Sequence, residues 1–175
     1  MFFPRRQLAN TPEQYGLNYT EVRISLSTEK SSVETLHGWW IPAERANAPV
    51  LLYLHHNAIN IGANVSQALQ FHEMGYSVFL FDYRGFGHSD GGFPNEAQVY
   101  EDAQSAWDYL TQERGLAPEQ IIIYGHSIGG AVAIDLATRQ PDAAALIVQS
   151  SFTNMRDMTK RFGVYWLFPV ELLLR

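Results

Sequence analysis

The sequence contains no cysteine, which excludes disulfides, zinc thiolate sites and a thiol nucleophile. Charged residues make up only 17% of the 175 residues, lysine and arginine form no long run, and the formal net charge is −6. Binding along a nucleic acid needs clustered cations, so nucleic acid is not an expected partner. No apolar stretch approaches the roughly 20 residues of a membrane-spanning helix and no signal peptide is visible, so a cytoplasmic location is expected.

The hydrophobic pattern predicts an α/β fold. Residues 22–26 alternate apolar and polar side chains, and residues 33–41 run back after a polar turn, which indicates an antiparallel N-terminal hairpin. Continuous apolar runs, typical of strands buried on both faces, follow at residues 50–54, 77–81, 121–124 and 145–148. Helical stripes separate these runs. We therefore expect a mostly parallel sheet with helices on both faces.

Polar stretches follow three of the predicted parallel strands, and the second and third of them contain glycine. They are residues 55–58, 82–85 and 125–129. Because functional groups in such sheets gather at the carboxyl ends of the strands, we expect these stretches to converge at one edge.

The third stretch reads Gly-His-Ser-Ile-Gly and makes Ser127 a candidate nucleophile. The motif alone is weak, but here a predicted buried strand precedes it and a predicted helix follows it. Gly125 and Gly129 would avoid clashes in a sharp strand-to-helix turn. The N–H of Ile128, at the start of that helix, would stabilise a developing oxyanion. The alternative is a structural serine in a glycine-rich turn.

The first stretch is the expected source of the second oxyanion donor. We predict the N–H of Asn57 for this role, with Ala58 as the alternative. His55 and His56 point in opposite directions on an extended backbone, so a metal pair is disfavoured and no metal or cofactor site is expected. One of the two histidines is expected to pack and hold the loop.

Other polar residues near these stretches are interpreted as structural. Asp82 and Arg84 are expected to fix their loop rather than to react. His126 adjoins the serine, but the turn directs neighbouring side chains apart, so packing is favoured over a role as base. Asp102 interrupts an apolar helical stripe and is expected to have a hydrogen-bonding partner.

The chain resembles the α/β-hydrolase superfamily, in the branch of serine aminopeptidase-like and BEM46-like hydrolases. The resemblance is carried by Phe2-Phe3-Pro4 and by residues 36–42, 55–62, 82–87 and 125–130. It implies that Ser127 attacks an ester, thioester or amide of a small acyl substrate and forms an acyl-enzyme that water hydrolyses. It also implies that an acid and then a histidine follow the serine.

No histidine follows Ser127, although six precede it. Among the later carboxylates only Asp157 is a candidate acid. We therefore expect residues 1–152 to be an incomplete hydrolase core, residues 153–175 to begin a lid, and turnover by this chain alone to be low. The alternative is a truncated, non-catalytic fragment that binds a ligand or partner. The apolar stretch Phe162–Val170 predicts self-association, and the resemblance leaves open a membrane anchor in a longer form.

Overall fold

A computed structural model describes residues 2–26 and 33–151. Its strands are β1 (Thr20–Leu26), β2 (Glu34–Ile41), β3 (Val50–Leu54), β4 (Ser77–Phe81), β5 (Ile121–His126) and β6 (Ala145–Gln149). Within the described residues they form a six-stranded sheet in the order β1-β2-β4-β3-β5-β6. β2 pairs antiparallel with β1 and β4, and the remaining pairs are parallel. The predicted hairpin pairing and mostly parallel sheet are confirmed.

Helices cover both faces of the sheet, as predicted. They are α1 (Val65–Glu73), α2 (Glu96–Asp108) and α3 (Ile128–Arg139). The α1 residue Val65 shares a core cluster with Leu51, whereas Val99 of α2 and Val132 of α3 share a second cluster with Leu52. Because successive strand residues face opposite sides, Leu51 and Leu52 mark the two faces of β3. In the described part of the chain, no helix is long and apolar enough to cross a membrane.

Local sequence signals explain where α2 begins and ends. The Asn95 side chain accepts from the Gln98 N–H at 2.9 Å, and the Gln98 side chain accepts from the Asn95 N–H at 3.0 Å. This reciprocal capping satisfies N–H groups that the first helical turn leaves unpaired. A π-helical turn over Tyr109–Glu113 follows, and Gly115 then adopts a φ of 67°.

The topology brings three loops to one edge of the sheet. β4, β3 and β5 are adjacent and parallel, so the segments that follow them all leave at the carboxyl edge. These segments contain the three polar stretches noted in the sequence. The predicted polar turn at residues 28–32 and the expected lid at residues 153–175, with its apolar segment Phe162–Val170, lie outside the described residues.

Candidate active site

Ser127 occupies a strained backbone position between β5 and α3, with φ 56° and ψ −116°. A non-glycine residue in such a region costs about 1–3 kcal/mol and persists only when its surroundings hold it. Here the Ser127 N–H donates to the Gln149 carbonyl at 2.9 Å. The Ser127 carbonyl accepts from the Gly130 N–H at 3.0 Å and from the Ser151 hydroxyl at 2.6 Å. Hydrogen bonds on both sides of the residue therefore fix its unusual conformation.

The glycines on either side of Ser127 have no room for a side chain. A Cβ at Gly125 would lie 2.2 Å from the Gly129 carbonyl oxygen. A Cβ at Gly129 would lie 2.1 Å from the carbonyl oxygen of Leu54 and 2.7 Å from that of His55. The start of α3 thus packs directly on the backbone that leads into the loop after β3, so the serine turn and that loop are in contact.

Gly129→Ala is expected to destabilise the chain by about 1–3 kcal/mol, because its methyl group would meet backbone atoms that cannot rotate away. Urea denaturation measures the change in the free energy of unfolding. Gly92→Ala is the matched control, since a Cβ there meets no atom within 4 Å. Equal stability of the two variants would show that the turn has more room than the structure gives it.

The two adjacent histidines after β3 point to different partners, as predicted. The buried His55 ring packs on Tyr83 and Phe86, with ring centroids 4.5 and 5.2 Å away. The His56 ring meets the edge of His126 at 5.0 Å. His55 is therefore the histidine that packs to hold the loop, and His126 packs against His56.

Asp82 lies beside His55, and both side chains are buried at the carboxyl edge of the sheet. Its Oδ1 accepts from the Ile61 N–H at 2.9 Å and lies 3.4 Å from His55 Nε2. Burial raises the pKa of Asp82 well above its ordinary value and lowers the pKa of His55 to about 4. Both shifts favour the neutral forms, so we interpret the contact as polar rather than ionic. It ties the loop after β3 to the loop after β4.

The lowered pKa of His55 predicts acid destabilisation. A histidine whose pKa falls from 6.5 to about 4 on folding binds its proton less tightly in the folded chain. Its contribution to stability is therefore complete above pH 6.5 and is lost as the pH falls towards 4. We expect His55→Gln to flatten the pH dependence of the free energy of unfolding over this range. His72 in the last turn of α1, changed to Gln, is the control; an unchanged slope in His55→Gln would contradict the assignment.

Arg84 and Asp102 form a buried pair behind the loop after β4. The Arg84 N–H donates to Asp102 Oδ2 at 2.8 Å, and its Nε–H donates to Oδ1 at 2.8 Å. Burial raises the pKa of Asp102 to about 6, against the opposing effect of the Arg84 charge. Glu101 adds an exposed contact to the same guanidinium at 3.1 Å. Arg84 is thus the hydrogen-bonding partner that was expected for Asp102 but could not be identified from the sequence. The predicted role of Arg84 in fixing its loop is confirmed.

The side chain of Asn57 holds its own loop in place through two hydrogen bonds. Asn57 Oδ1 accepts from the Phe3 N–H at 2.8 Å and from the Ala58 N–H at 2.9 Å. Ala58 itself has a φ of 64°, rare for a residue with a side chain. Sequence reasoning missed the contact with Phe3, since only the resemblance singled out the Phe-Phe-Pro stretch and nothing gave its position.

Charged groups after Ser127 contribute little to this edge among the described residues. Asp135 on α3 pairs with Arg139 one turn later, with Oδ2 and the guanidinium 2.6 Å apart. Asp142 is exposed. Asp157, the predicted candidate acid, lies outside the described residues. The first N–H groups of α3 place partial positive charge beside Ser127.

The sheet, its flanking helices and the serine turn between β5 and α3 define an α/β-hydrolase. Residues 27–171 match the family model described as serine aminopeptidase, S33, and the chain belongs to this family. The predicted resemblance is confirmed.

Relatives and solved structures agree with this family. The chain is 36% identical to the protein bem46 of Schizosaccharomyces pombe over 160 residues, which cover 89% of the chain and 52% of bem46. It is 34% identical to the lysophosphatidylserine lipase ABHD12 of Danio rerio over 170 residues, covering 85% of the chain and 44% of the lipase. The structure of the Pyrococcus furiosus esterase Pf2001 aligns with a TM-score of 0.70 and 26% identity, over 86% of this chain and 57% of the esterase. The chain therefore spans about half the length of the curated relatives it matches.

Proposed function

We propose that the protein is a serine hydrolase that forms an acyl-enzyme on Ser127. The observation that carries this proposal is the backbone of Ser127, strained at φ 56° and fixed by hydrogen bonds on both sides. Strain of this kind concentrates at functional sites, because an ordinary turn would relax or use glycine. A serine held there stands at the start of α3, at the edge where the loops of the sheet meet.

The proposed oxyanion donors are the N–H groups of Ile128 and Asn57. Ile128 is the first residue of α3, where backbone N–H groups and the helix dipole favour negative charge. The contact of Gly129 with Leu54 and His55 supports a second donor from the loop after β3. Ala58, the alternative donor, already directs its N–H to Asn57 Oδ1 at 2.9 Å, which favours Asn57.

In the proposed reaction the Ser127 hydroxyl adds to the substrate carbonyl while a base takes its proton. The tetrahedral oxyanion collapses, the leaving group departs with a proton, and water then cleaves the acyl-enzyme. We assign no histidine of this chain as the base. His37 and His55 are buried, and His56 and His126 pack on each other. His72 lies in the last turn of α1, and His88 is exposed. A base from a longer form of the protein or from a second copy would then accept the proton of the Ser127 hydroxyl.

The names of the relatives favour an ester as the substrate. ABHD12 of Danio rerio is a lysophosphatidylserine lipase and Pf2001 is an esterase. One name refers to a lipase and the other to an esterase, whereas the family description refers to an aminopeptidase. We therefore propose that the substrate is a carboxylic ester of an acyl chain rather than an amide or a thioester.

Labelling with a fluorophosphonate tests the nucleophile. The probe forms a bond between phosphorus and the serine oxygen and releases fluoride, so mass spectrometry locates the reacting residue. We expect an adduct on Ser127 that Ser127→Ala abolishes and that Ser66→Ala, which changes an exposed serine on α1, leaves intact. An adduct elsewhere, or none on a folded sample, would contradict the proposal for this chain.

A second candidate function is binding of an acyl ligand or a partner without turnover. The observation that favours it is that all six histidines precede Ser127. Removing the base from a serine triad costs about 10⁶ in turnover, so a chain without one would bind but scarcely react. Saturable binding of a long-chain acyl ester by a folded sample that is not labelled at Ser127 would favour this function.

A further inference from the structure

The segment ahead of the first strand, residues 2–10, lies across the loops of the candidate site, and we term it the N-terminal strap. Its anchor is Phe2, which is buried in the same core cluster as β3 and β4 residues. The Phe3 N–H donates to the Asn57 side chain at 2.8 Å. Further along, the backbone at Asn10 lies so close to Gly62 that a Cβ there would be 2.9 Å from the Asn10 carbonyl oxygen. The strap thus touches both ends of the loop that carries Asn57.

The side chain of Asn60 joins this loop to the strap through two hydrogen bonds. Its Nδ2 donates to the carbonyls of Arg5 at 3.0 Å and Gln7 at 2.7 Å. Its Oδ1 accepts from the Gly62 N–H at 3.2 Å and so caps the turn that leads into α1. Asn60 is only 3% exposed, so these bonds form away from water. One side chain therefore fixes the end of the loop to two points of the strap.

The strap also contacts the loop after β4. The Arg5 carbonyl that accepts from Asn60 also accepts from the Gly87 N–H at 2.8 Å. The Arg6 guanidinium donates to the carbonyl of Ser89 at 2.6 Å and to that of Gly91. The strap consequently bridges two of the three loops at the carboxyl edge, and the third, at Ser127, packs on the first through Gly129.

We propose that Asn60 is a positioning residue for the oxyanion donor at Asn57, acting by locking the loop onto the N-terminal strap. This inference rests on the proposed function. The loop needs such a lock because Ala58 is held at a φ of 64°, a conformation that an alanine leaves when nothing fixes it. Release of the strap lets residues 57 and 58 relax, and the N–H then no longer points to where the oxyanion forms.

The test compares two variants that keep the cap on Gly62 but lose the bonds to the strap. Asn60→Asp and Asn60→Ser both retain an oxygen for the Gly62 N–H, and aspartate and serine cap about as well as asparagine. Aspartate has no donor for the carbonyls of Arg5 and Gln7, and the shorter serine has a single O–H in place of the two N–H groups of Nδ2. Asn18→Asp, at an exposed position before β1, is the matched control for the added charge.

The measurements are the maximal rate and half-saturating concentration of fluorophosphonate labelling at Ser127, together with amide hydrogen exchange of residues 56–62. We expect the maximal rate to fall by about tenfold or more in both Asn60 variants, since misplaced oxyanion donors cost about 10²–10³ when lost entirely. The half-saturating concentration should change little, and exchange should rise in the loop but not in β3 or β4.

Each other outcome is decisive. Labelling of Ser127 at parental rates in both Asn60 variants overturns this inference and leaves the proposed nucleophile standing. Absence of labelling at Ser127 in the folded parent chain overturns both. If Asn60→Asp unfolds, Asn60→Ser decides; if both unfold, Asn60 is needed for folding and the positioning role is wrong.

Discussion

Ser127→Ala is expected to reduce fluorophosphonate labelling to background while the chain remains folded. The hydroxyl is the proposed nucleophile, and in a complete serine triad its loss costs about 10⁶ in turnover. Alanine has the same backbone restriction as serine, so the strain at φ 56° persists and the stability should change little. Labelling with mass spectrometry and urea denaturation measure the two effects separately.

Ser127→Gly tests the backbone strain at residue 127 separately from the reactivity of its hydroxyl. Glycine occupies positive φ without steric cost, so this variant should lose labelling and gain about 1 kcal/mol of stability. A gain in stability together with a loss of reaction is the signature of a strained functional residue. If Ser127→Gly is as stable as the parent, the strain argument fails; if it is still labelled, the nucleophile lies elsewhere.

Asp102→Ala is expected to lower the free energy of unfolding by about 3–5 kcal/mol, because it leaves the Arg84 guanidinium buried without its main partner. The substitution also removes the acceptor of the Arg84 backbone N–H. The side chain of Asp102 is fully buried and that of Arg84 is only 9% exposed, so water cannot take over these bonds. Urea denaturation measures the loss.

The neighbouring carboxylate supplies the control for Asp102. Glu101 contacts the same guanidinium at 3.1 Å, but its side chain is 65% exposed. Exposed ion pairs contribute about 0–1 kcal/mol, so Glu101→Ala should cost far less than Asp102→Ala. Equal effects at the two positions would mean that the charge of Arg84 is solvated and that the buried pair is not what holds the loop.

The fold could be predicted from the sequence because its signals are local and repeated. Apolar runs alternate with helical stripes, and capping residues such as Asn95 and Gln98 mark a helix start within four positions. The serine motif was informative for the same reason, since its strand, glycines and helix are contiguous. The serine turn observed between β5 and α3 has the geometry that Gly125 and Gly129 predict.

The contacts that hold the candidate site could not be predicted because they join residues far apart in the chain. Asp102 was recognised as a polar residue on an apolar stripe, but nothing local indicates that Arg84 is its partner. The strap is a stronger case, since Asn60 and Arg5 are 55 positions apart. Hydrogen bonds of a side chain to distant carbonyls depend on how the backbone packs. The hydrophobic pattern of the sequence does not indicate them.

The location of the base and of the acid stays a prediction, as does the lid at residues 153–175. The lid and the candidate acid Asp157 lie outside the described residues, and the base would come either from this chain or from sequence that a longer form adds. Reaction of the parent chain with a fluorophosphonate, alone and mixed with a longer form that carries Ser127→Ala, separates the two cases. Faster labelling in the mixture would indicate that the base is supplied by sequence that the longer form adds.

The most direct test of the central claim is a crystal structure of the chain after reaction with a fluorophosphonate. We predict a covalent bond between phosphorus and the Ser127 oxygen, with the phosphonyl oxygen within hydrogen-bonding distance of the N–H groups of Ile128 and Asn57. An adduct whose phosphonyl oxygen points away from both N–H groups would contradict the proposed oxyanion donors. A folded chain with no adduct at Ser127, either alone or mixed with the longer form that carries Ser127→Ala, would contradict the assignment of the nucleophile itself.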